Sequence, residues 1–336
     1  MKKLTIAQIG VGNWGKNILR TFYNNPQISV KYICELNPDI RERLAGDYPD
    51  VKIENSYENV FQENSIDAVA IATPPITHYE LAKQALLAGK HVFVEKPMTL
   101  EVAHSEELVA LAKEKNRVVM VGHILEYHPA FVRLKEMVDA GELGDIYYIY
   151  STRVNLGVIR KEENSLWSLA PHDISIVLML MGQEPDRVTC TGQCYLQNEV
   201  EDVTFTSLHF PDDKMAQIHV SWLDPHKIRK VTVVGSKKMV VIDDMESAEK
   251  MRIYDKGVDF TSGIVSYHES ITLRMGDIQI PNIKMQEPLK LEVQHFIDAA
   301  ISGTTPKSDA VDGMNVVKIL DAAQKSLKQN GAPVKI

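Results

Sequence analysis

Short, largely apolar runs, Leu4–Ile9, Ser29–Cys34, Ala68–Ala72, His91–Val94 and Val118–Val121, punctuate the first 122 residues. Unbroken Val, Ile and Ala over such lengths predict strands buried on both faces. The stretches between them carry a helical period. Across Tyr79–Ala88, Leu81, Ala85 and Ala88 share a face before Gly89 stops the helix, and Leu100–Lys115 follows Thr99, expected as its N-cap. Strand and helix in alternation predict a doubly wound parallel sheet of the α/β class.

The pattern then changes. After a helix over Val132–Ala140 that ends at Gly141, strand signals dominate: Ile146–Val154, Arg187–Leu196, Val203–Phe210, Ala216–Trp222, Lys230–Val234 and Met239–Ile242. Thr204, Thr206, Leu208 and Phe210 alternate with Phe205, Ser207 and His209, the period-two signature of an antiparallel sheet. The expected architecture is a first domain over 1–122 and a second, α+β domain over 123–336, with helices on one sheet face and the other free for a second subunit. Glu287–Lys328 reads as two helices separated by Gly303-Thr304-Thr305-Pro306, and the pattern does not say which domain they join.

Composition narrows the class. A net charge of −8 argues against a general nucleic-acid binder, whose affinity comes from clustered Lys and Arg. The first residues lack the ~7 to 15 apolar positions of a signal peptide, and no run approaches the ~18 needed to span a bilayer, so a cytoplasmic location without membrane partners is expected. Four strand residues at ~3.3 Å separate Cys190 and Cys194 by ~13 Å, beyond the ~7 Å limit for a disulfide. Three buried, reduced thiols are expected.

The first strand runs into Gly10-Val11-Gly12-Asn13-Trp14-Gly15, a G-x-G-x-x-G that opens a helix. The first glycine allows the tight turn, the second lets backbone approach a pyrophosphate, the third permits close helix packing, and the helix N-terminus offers free N–H groups to phosphate. Glu35 ends the second strand 20 residues later, where a carboxylate accepts from ribose hydroxyls. A carboxylate there repels the extra phosphate of NADP, and Leu36 and Asn37 supply no cation, so NAD is the expected cofactor. Arg41 and Arg43 are the counter-evidence, expected to point from a helix into solvent.

Ala72-Thr73-Pro74-Pro75 followed by His78, and Glu95-Lys96-Pro97 after His91–Val94, complete a set of motifs with a later Leu169-Ala-Pro-His172 segment. Together with the fingerprint, this chain resembles the glucose-fructose oxidoreductase and inositol dehydrogenase (Gfo/Idh/MocA) family over essentially its whole length. The resemblance implies that Thr73, Pro74, His78 and Glu95 join Gly10, Gly12, Asn13, Trp14, Gly15 and Glu35 at the cofactor. It implies that Lys96 lies beside the nicotinamide and the sugar hydroxyl, with Tyr127 and His128 on a segment that reaches the substrate, and that the second-domain sheets pair into a homodimer or homotetramer. Alcohol oxidation needs a group that takes the hydroxyl proton within ~2.6 to 3.2 Å, and a neighbouring positive charge and burial both favour a neutral, basic lysine. The bland alternatives are a solvated loop lysine at 96 and a packed hinge histidine at 128. A metal on His123 and His128 is not expected, for want of a third ligand.

In Asn164-Ser-Leu-Trp167-Ser168-Leu-Ala-Pro-His172-Asp173 the family commonly carries an Asp four residues before the His, and both face the sugar; here Ser168 stands at the Asp position. Proton handling then falls on Lys96 and His172 as the catalytic pair, with Trp167 nearby and Asp173 read as an acid facing the helix dipole. Arg153, Asn155 and Arg160 precede them, and two guanidinium forks suit a diphosphate, unless they pair with Glu162 and Glu163. The family branch this segment most resembles oxidises nucleotide-activated amino sugars. The competing readings are a free polyol or sugar dehydrogenase and a noncatalytic dinucleotide-binding regulator.

Overall fold

The computed structural model describes residues 3–161, 163–260 and 271–336. Contacts divide the chain into two compact units, 1–127 with 287–318, and 128–286 with 319–336. The expected single division at 122 therefore gives way to one in which a C-terminal helical stretch returns to the first unit.

Six parallel strands build the first unit: β1 (Leu4–Ile9), β2 (Ile28–Cys34), β3 (Lys52–Glu54), β4 (Ala68–Ile71), β5 (His91–Val94) and β6 (Val119–Val121). Their order, β3-β2-β1-β4-β5-β6, is that of the dinucleotide-binding doubly wound sheet. The three-residue β3, too short and too charged to show as an apolar run, is the strand the hydrophobic pattern does not reveal. Between the strands lie α1 (Gly15–Tyr23), α2 (Pro38–Asp47), α3 (Glu58–Gln62), α4 (His78–Leu87) and α5 (Val102–Lys115). Thr99 is not the cap of α5. Its hydroxyl donates to the Glu101 carbonyl at 2.8 Å, and Glu101 itself holds the cap position.

Both sheet faces are covered, as the unbroken apolar runs require. Leu4, Ile6, Ala68, Ala70 and Phe93 face one layer, and Ala7, Ile9, Val69, Ile71, Val92 and Val94 the other. On the first face Phe22 of α1 and Phe93 meet Phe296 edge to face, with ring centroids 5.7 to 6.1 Å apart. That cluster assigns the helix over Pro288–Ser302 to the first unit.

In the second unit come α6 (Pro129–Asp139), β7 (Ile146–Val154), α7 (Ser165–Leu169), α8 (Pro171–Met181), β8 (Arg187–Gln193), β9 (Val203–His209), β10 (Met215–Ser221), β11 (Ile228–Gly235), β12 (Met239–Asp243), β13 (Met251–Phe260) and β14 (Ile271–Gln279). The chain ends with α9 (Pro288–Ser302), α10 (Ala310–Lys328) and β15 (Val334–Lys335). The nine strands run β14-β13-β12-β11-β7-β10-β9-β8-β15, antiparallel except for the pair β7 and β10. Thr204, Thr206, Leu208 and Phe210 are buried while Phe205 is exposed, as the alternation predicts. Strand β14, exposed at most of its described positions, lacks the one-sided pattern that would reveal it.

The thiols differ from expectation at one position. Cys34 and Cys190 are buried, and burial pushes both thiols up to about 12. Cys194 is exposed, because β8 ends at Gln193 and leaves it beyond the sheet.

Truncating Phe296 to alanine should cost about 3 to 5 kcal/mol of stability through the cavity left among Phe22 and Phe93. Urea unfolding measures it, and a loss below about 1 kcal/mol would remove α9 from this core.

Candidate active site

The glycine loop fits a dinucleotide. Gly10 adopts φ +87°, and a Cβ there would lie 2.7 Å from the Ala72 carbonyl oxygen; one on Gly15 would lie 2.6 Å from the Gly10 oxygen. Gly12 is different, since a Cβ there meets nothing within 4 Å. The protein therefore does not require glycine at 12 for its own packing, and the space it leaves suits a pyrophosphate approaching backbone. No acid occupies the first turn of α1, and Trp14 provides no side-chain cap, so the helix N-terminus stays available to an anion.

Gln8, fully buried on β1, pins this loop by donating its side-chain amide to the carbonyl oxygens of Gly10 at 3.0 Å and Gly15 at 2.7 Å. The motif gives no sign of it. Glu35 accepts from the Val11 N–H at 2.8 Å and the Asn37 N–H at 2.9 Å. Arg41 does not point away: its guanidinium folds back onto the carbonyl oxygens of Glu35 and Leu36, at 2.9 and 2.7 Å.

Three loops at the carboxyl edge of the parallel sheet are tied together. Glu95 accepts the Trp14 indole N–H at 2.8 Å and the Lys96 backbone N–H at 3.2 Å, linking the loop after β5 to the glycine loop. Burial pushes the Glu95 carboxyl up, opposed by the Lys96 charge. The peptide bond between Lys96 and Pro97 is cis. His78 is fully buried, and its two ring nitrogens meet the Pro97 and Thr73 carbonyl oxygens at 2.8 Å each. It shapes the loops carrying Thr73, Pro74 and Lys96 instead of presenting its ring to a cofactor. Burial is the main cause that lowers its pKa.

A second group of polar residues lies in the same unit. His123 Nδ1 is 2.6 Å from Asp312 Oδ2 and 3.5 Å from Glu126 Oε1, and both His123 and Glu126 are buried. Asp312 is the carboxylate that spacing could not place, and these three side chains could share a metal ion. Burial opposes charge on His123, but the Asp312 and Glu126 carboxylates outweigh it and raise its pKa to about 10. Burial, countered in part by His123, holds Glu126 up at about 7. Among the described residues, fully buried Glu292 has no hydrogen-bond partner on either carboxylate oxygen. Tyr127, expected at the substrate, is instead a core residue whose hydroxyl meets Ser308 Oγ at 3.1 Å.

In the second unit, His128 caps α6, accepting the Ala130 N–H on Nδ1 at 3.2 Å, and its Nε2 lies 3.3 Å from Asp244. It is buried, as the packed-histidine reading has it. Arg153 donates to Asp173 through Nε at 2.6 Å and Nη2 at 3.3 Å, and Ser151 donates to the same carboxylate at 2.6 Å. Asp173 is thus a buried ion-pair partner more than a dipole-facing acid. Arg160 lies 3.1 Å from Glu163, and Glu162 is outside the described residues. The Asn155 N–H donates to the Ser221 carbonyl, and the Trp167 indole donates to Gln324 at 3.2 Å. Ser168 is buried one turn before His172, and His172 is half-buried at the start of α8.

Residues 4–123 match the oxidoreductase family with an NAD-binding Rossmann fold, and residues 131–241 its Gfo/Idh/MocA C-terminal domain. The chain belongs to the Gfo/Idh/MocA family. It is an oxidoreductase with NAD as cofactor, and the open space at Gly12 and the bare α1 N-terminus fit that group. The chain is 29% identical over 297 residues to a scyllo-inositol 2-dehydrogenase (NAD(+)) of Bacillus subtilis, covering 84% of this chain and 81% of the relative. It is 24% identical over 312 residues to a UDP-N-acetylglucosamine 3-dehydrogenase of Acidithiobacillus ferrooxidans, covering 92% of each. The fold matches that of GenD2 from gentamicin A biosynthesis in complex with NAD, with a TM-score of 0.84 at 22% identity, over 100% of this chain and 97% of that one. Among the described residues no helix is long and apolar enough to cross a membrane.

Gly12→Val should fold with near-native stability yet weaken NAD binding by about 100-fold, the opposite balance to Gly15→Ala, which should destabilise the fold; calorimetric titration and thermal unfolding separate the two. Glu292 offers a pH test. Burial, then the charges of Glu95 and Glu126, hold its carboxyl well above its ordinary value of 4.5. Its contribution to stability is therefore full below that value and is lost as pH rises toward the folded-state pKa. Glu292→Gln should raise the urea midpoint above the parent's at pH 8 and leave it close to the parent's at pH 4. Equal urea midpoints at both pH values would contradict it.

Proposed function

We propose that the protein oxidises a secondary hydroxyl of a nucleotide-activated amino sugar, a UDP-N-acetylhexosamine or its uronic acid, at the 3-position, producing a 3-keto sugar for polysaccharide or lipid precursors in the cytoplasm. The observation that carries the dehydrogenase reading is the Glu95–Lys96 corner. It follows β5 at the carboxyl edge of the sheet, and Glu95 ties it to Trp14 in the loop that opens α1. NAD, when bound, supplies the hydride acceptor. Lys96 takes the hydroxyl proton, and His172 at the start of α8 is the second candidate for proton handling, with Ser168 one turn before it.

The likeness to the Acidithiobacillus enzyme over nine-tenths of both chains supports the substrate class. A free polyol is the second reading, favoured by the likeness to the inositol dehydrogenase and by the closure of Arg160 onto Glu163. The open face of the nine-stranded sheet exposes Tyr148, Tyr150, Phe205 and Met215, an apolar surface that supports pairing of two or four copies through this sheet.

Lys96→Ala should keep NAD binding while turnover falls about 10²- to 10⁴-fold. Reduced-cofactor absorbance with UDP-N-acetylglucosamine, its uronic acid and scyllo-inositol, with a 2-oxo acid added as reoxidant, reads the substrate class. Turnover of the inositol alone would overturn the nucleotide-sugar reading.

A further inference from the structure

Arg229 on β11 lies directly opposite Arg153 on β7 in the antiparallel pair, so two guanidinium groups rise from one sheet face on neighbouring strands. Their surroundings differ. Arg153 is buried and saturates Asp173, whose two oxygens take both of its donors and the Ser151 hydroxyl. The Arg229 side chain is 43% exposed, and among the described residues no hydrogen bond reaches its guanidinium. The carboxylate nearest to it is Asp244 at 4.0 Å, which already lies 3.4 Å from Lys250 Nζ and 3.3 Å from His128 Nε2.

Two carboxylates, Asp173 and Asp244, thus serve three permanent cations, Arg153, Arg229 and Lys250, before His128 is counted. Burial and the Arg153 charge both work against the charged form of Arg229. A guanidinium that faces solvent with a like charge behind it, and with its planar fork unengaged, matches an acidic oxygen pair better than a neutral hydroxyl. The Asp173 carboxylate that holds Arg153 belongs to the residue after His172, so the cation excess lies next to the second residue of the proposed chemistry.

We propose that Arg229, backed by Arg153, holds an acidic group of the sugar substrate, a carboxylate or a phosphate. The assignment rests on the reading of the substrate as an acidic or nucleotide-linked sugar and names the side chain that selects it. The sequence assigns this role to Arg153 and Arg160, which the fold closes onto Asp173 and Glu163.

Calorimetric titration of the NAD-loaded protein with glucuronate and, separately, with uridine diphosphate tests it without relying on turnover. Arg229→Gln should weaken at least one of the two by about 10- to 100-fold, the loss expected for a charged hydrogen-bonding partner. Arg229→Lys should recover part of the affinity, because it keeps the charge and loses the fork. Lys230→Gln, next in sequence and paired with Asp243, should bind as the parent does. Loss confined to glucuronate assigns the site to a carboxylate, and loss confined to uridine diphosphate assigns it to the phosphates. Equal affinity in parent and Arg229→Gln, with matching thermal midpoints, or no binding of either anion by the parent at millimolar concentration, overturns the proposal whatever the enzyme oxidises. If Arg229-dependent anion binding is found while only neutral polyols are turned over, the site stands and the nucleotide-sugar reading falls.

Discussion

The carboxyl edge of the parallel sheet depends on buried side chains that hydrogen-bond the backbone carbonyls of its loops. Gln8 does this from full burial for Gly10 and Gly15, and His78, whose neutral ring donates to one carbonyl, sits between those of Thr73 and Pro97. An unsatisfied buried carbonyl or amide costs roughly 1 to 3 kcal/mol. Each of these side chains therefore holds its loop in one shape, and the loops that meet a dinucleotide are ordered by the protein's own hydrogen bonds. Glu95 extends the arrangement to the corner that carries Lys96.

Charge is distributed with the same economy of partners. In the first unit negative groups outnumber positive ones around His123, and burial forces Glu126 and Glu292 toward protonation. In the second unit the excess is positive, around Arg153 and Arg229. The net charge of −8 averages over both and describes neither. Local imbalance of this kind is what sorts ligands by charge, because a buried or half-buried ion is screened far less than one at the surface.

Much of the first unit is written locally and could be read from the chain. Glycine spacing, the acid at Glu35 and the run before Lys96 each depend on residues within one βα unit, where period and turn chemistry are sufficient. Residue type singles out Tyr127, Arg153 and Arg160, while their contacts come from Ser308, Asp173 and Glu163, the first two at separations that no pattern reports. Gln8 interrupts an apolar run and Arg229 sits in a half-polar strand, and neither stands out from an ordinary polar position. Only the register that sets Arg229 against Arg153 marks it out, and register is a tertiary property.

The nine-stranded sheet contains a single parallel neighbour pair, β7 beside β10, within antiparallel surroundings. A parallel pair cannot be closed by a hairpin and needs a long connection between its strands. Here the chain between them passes through α7, α8, β8 and β9, and α8 carries His172. The topology thus obliges the chain to supply a long detour, largely exposed over 156–161 and packed into the core along α8. Substitutions such as serine at 168 fall in that detour. That one connection can be rewritten in its exposed part while every strand on either side keeps its register.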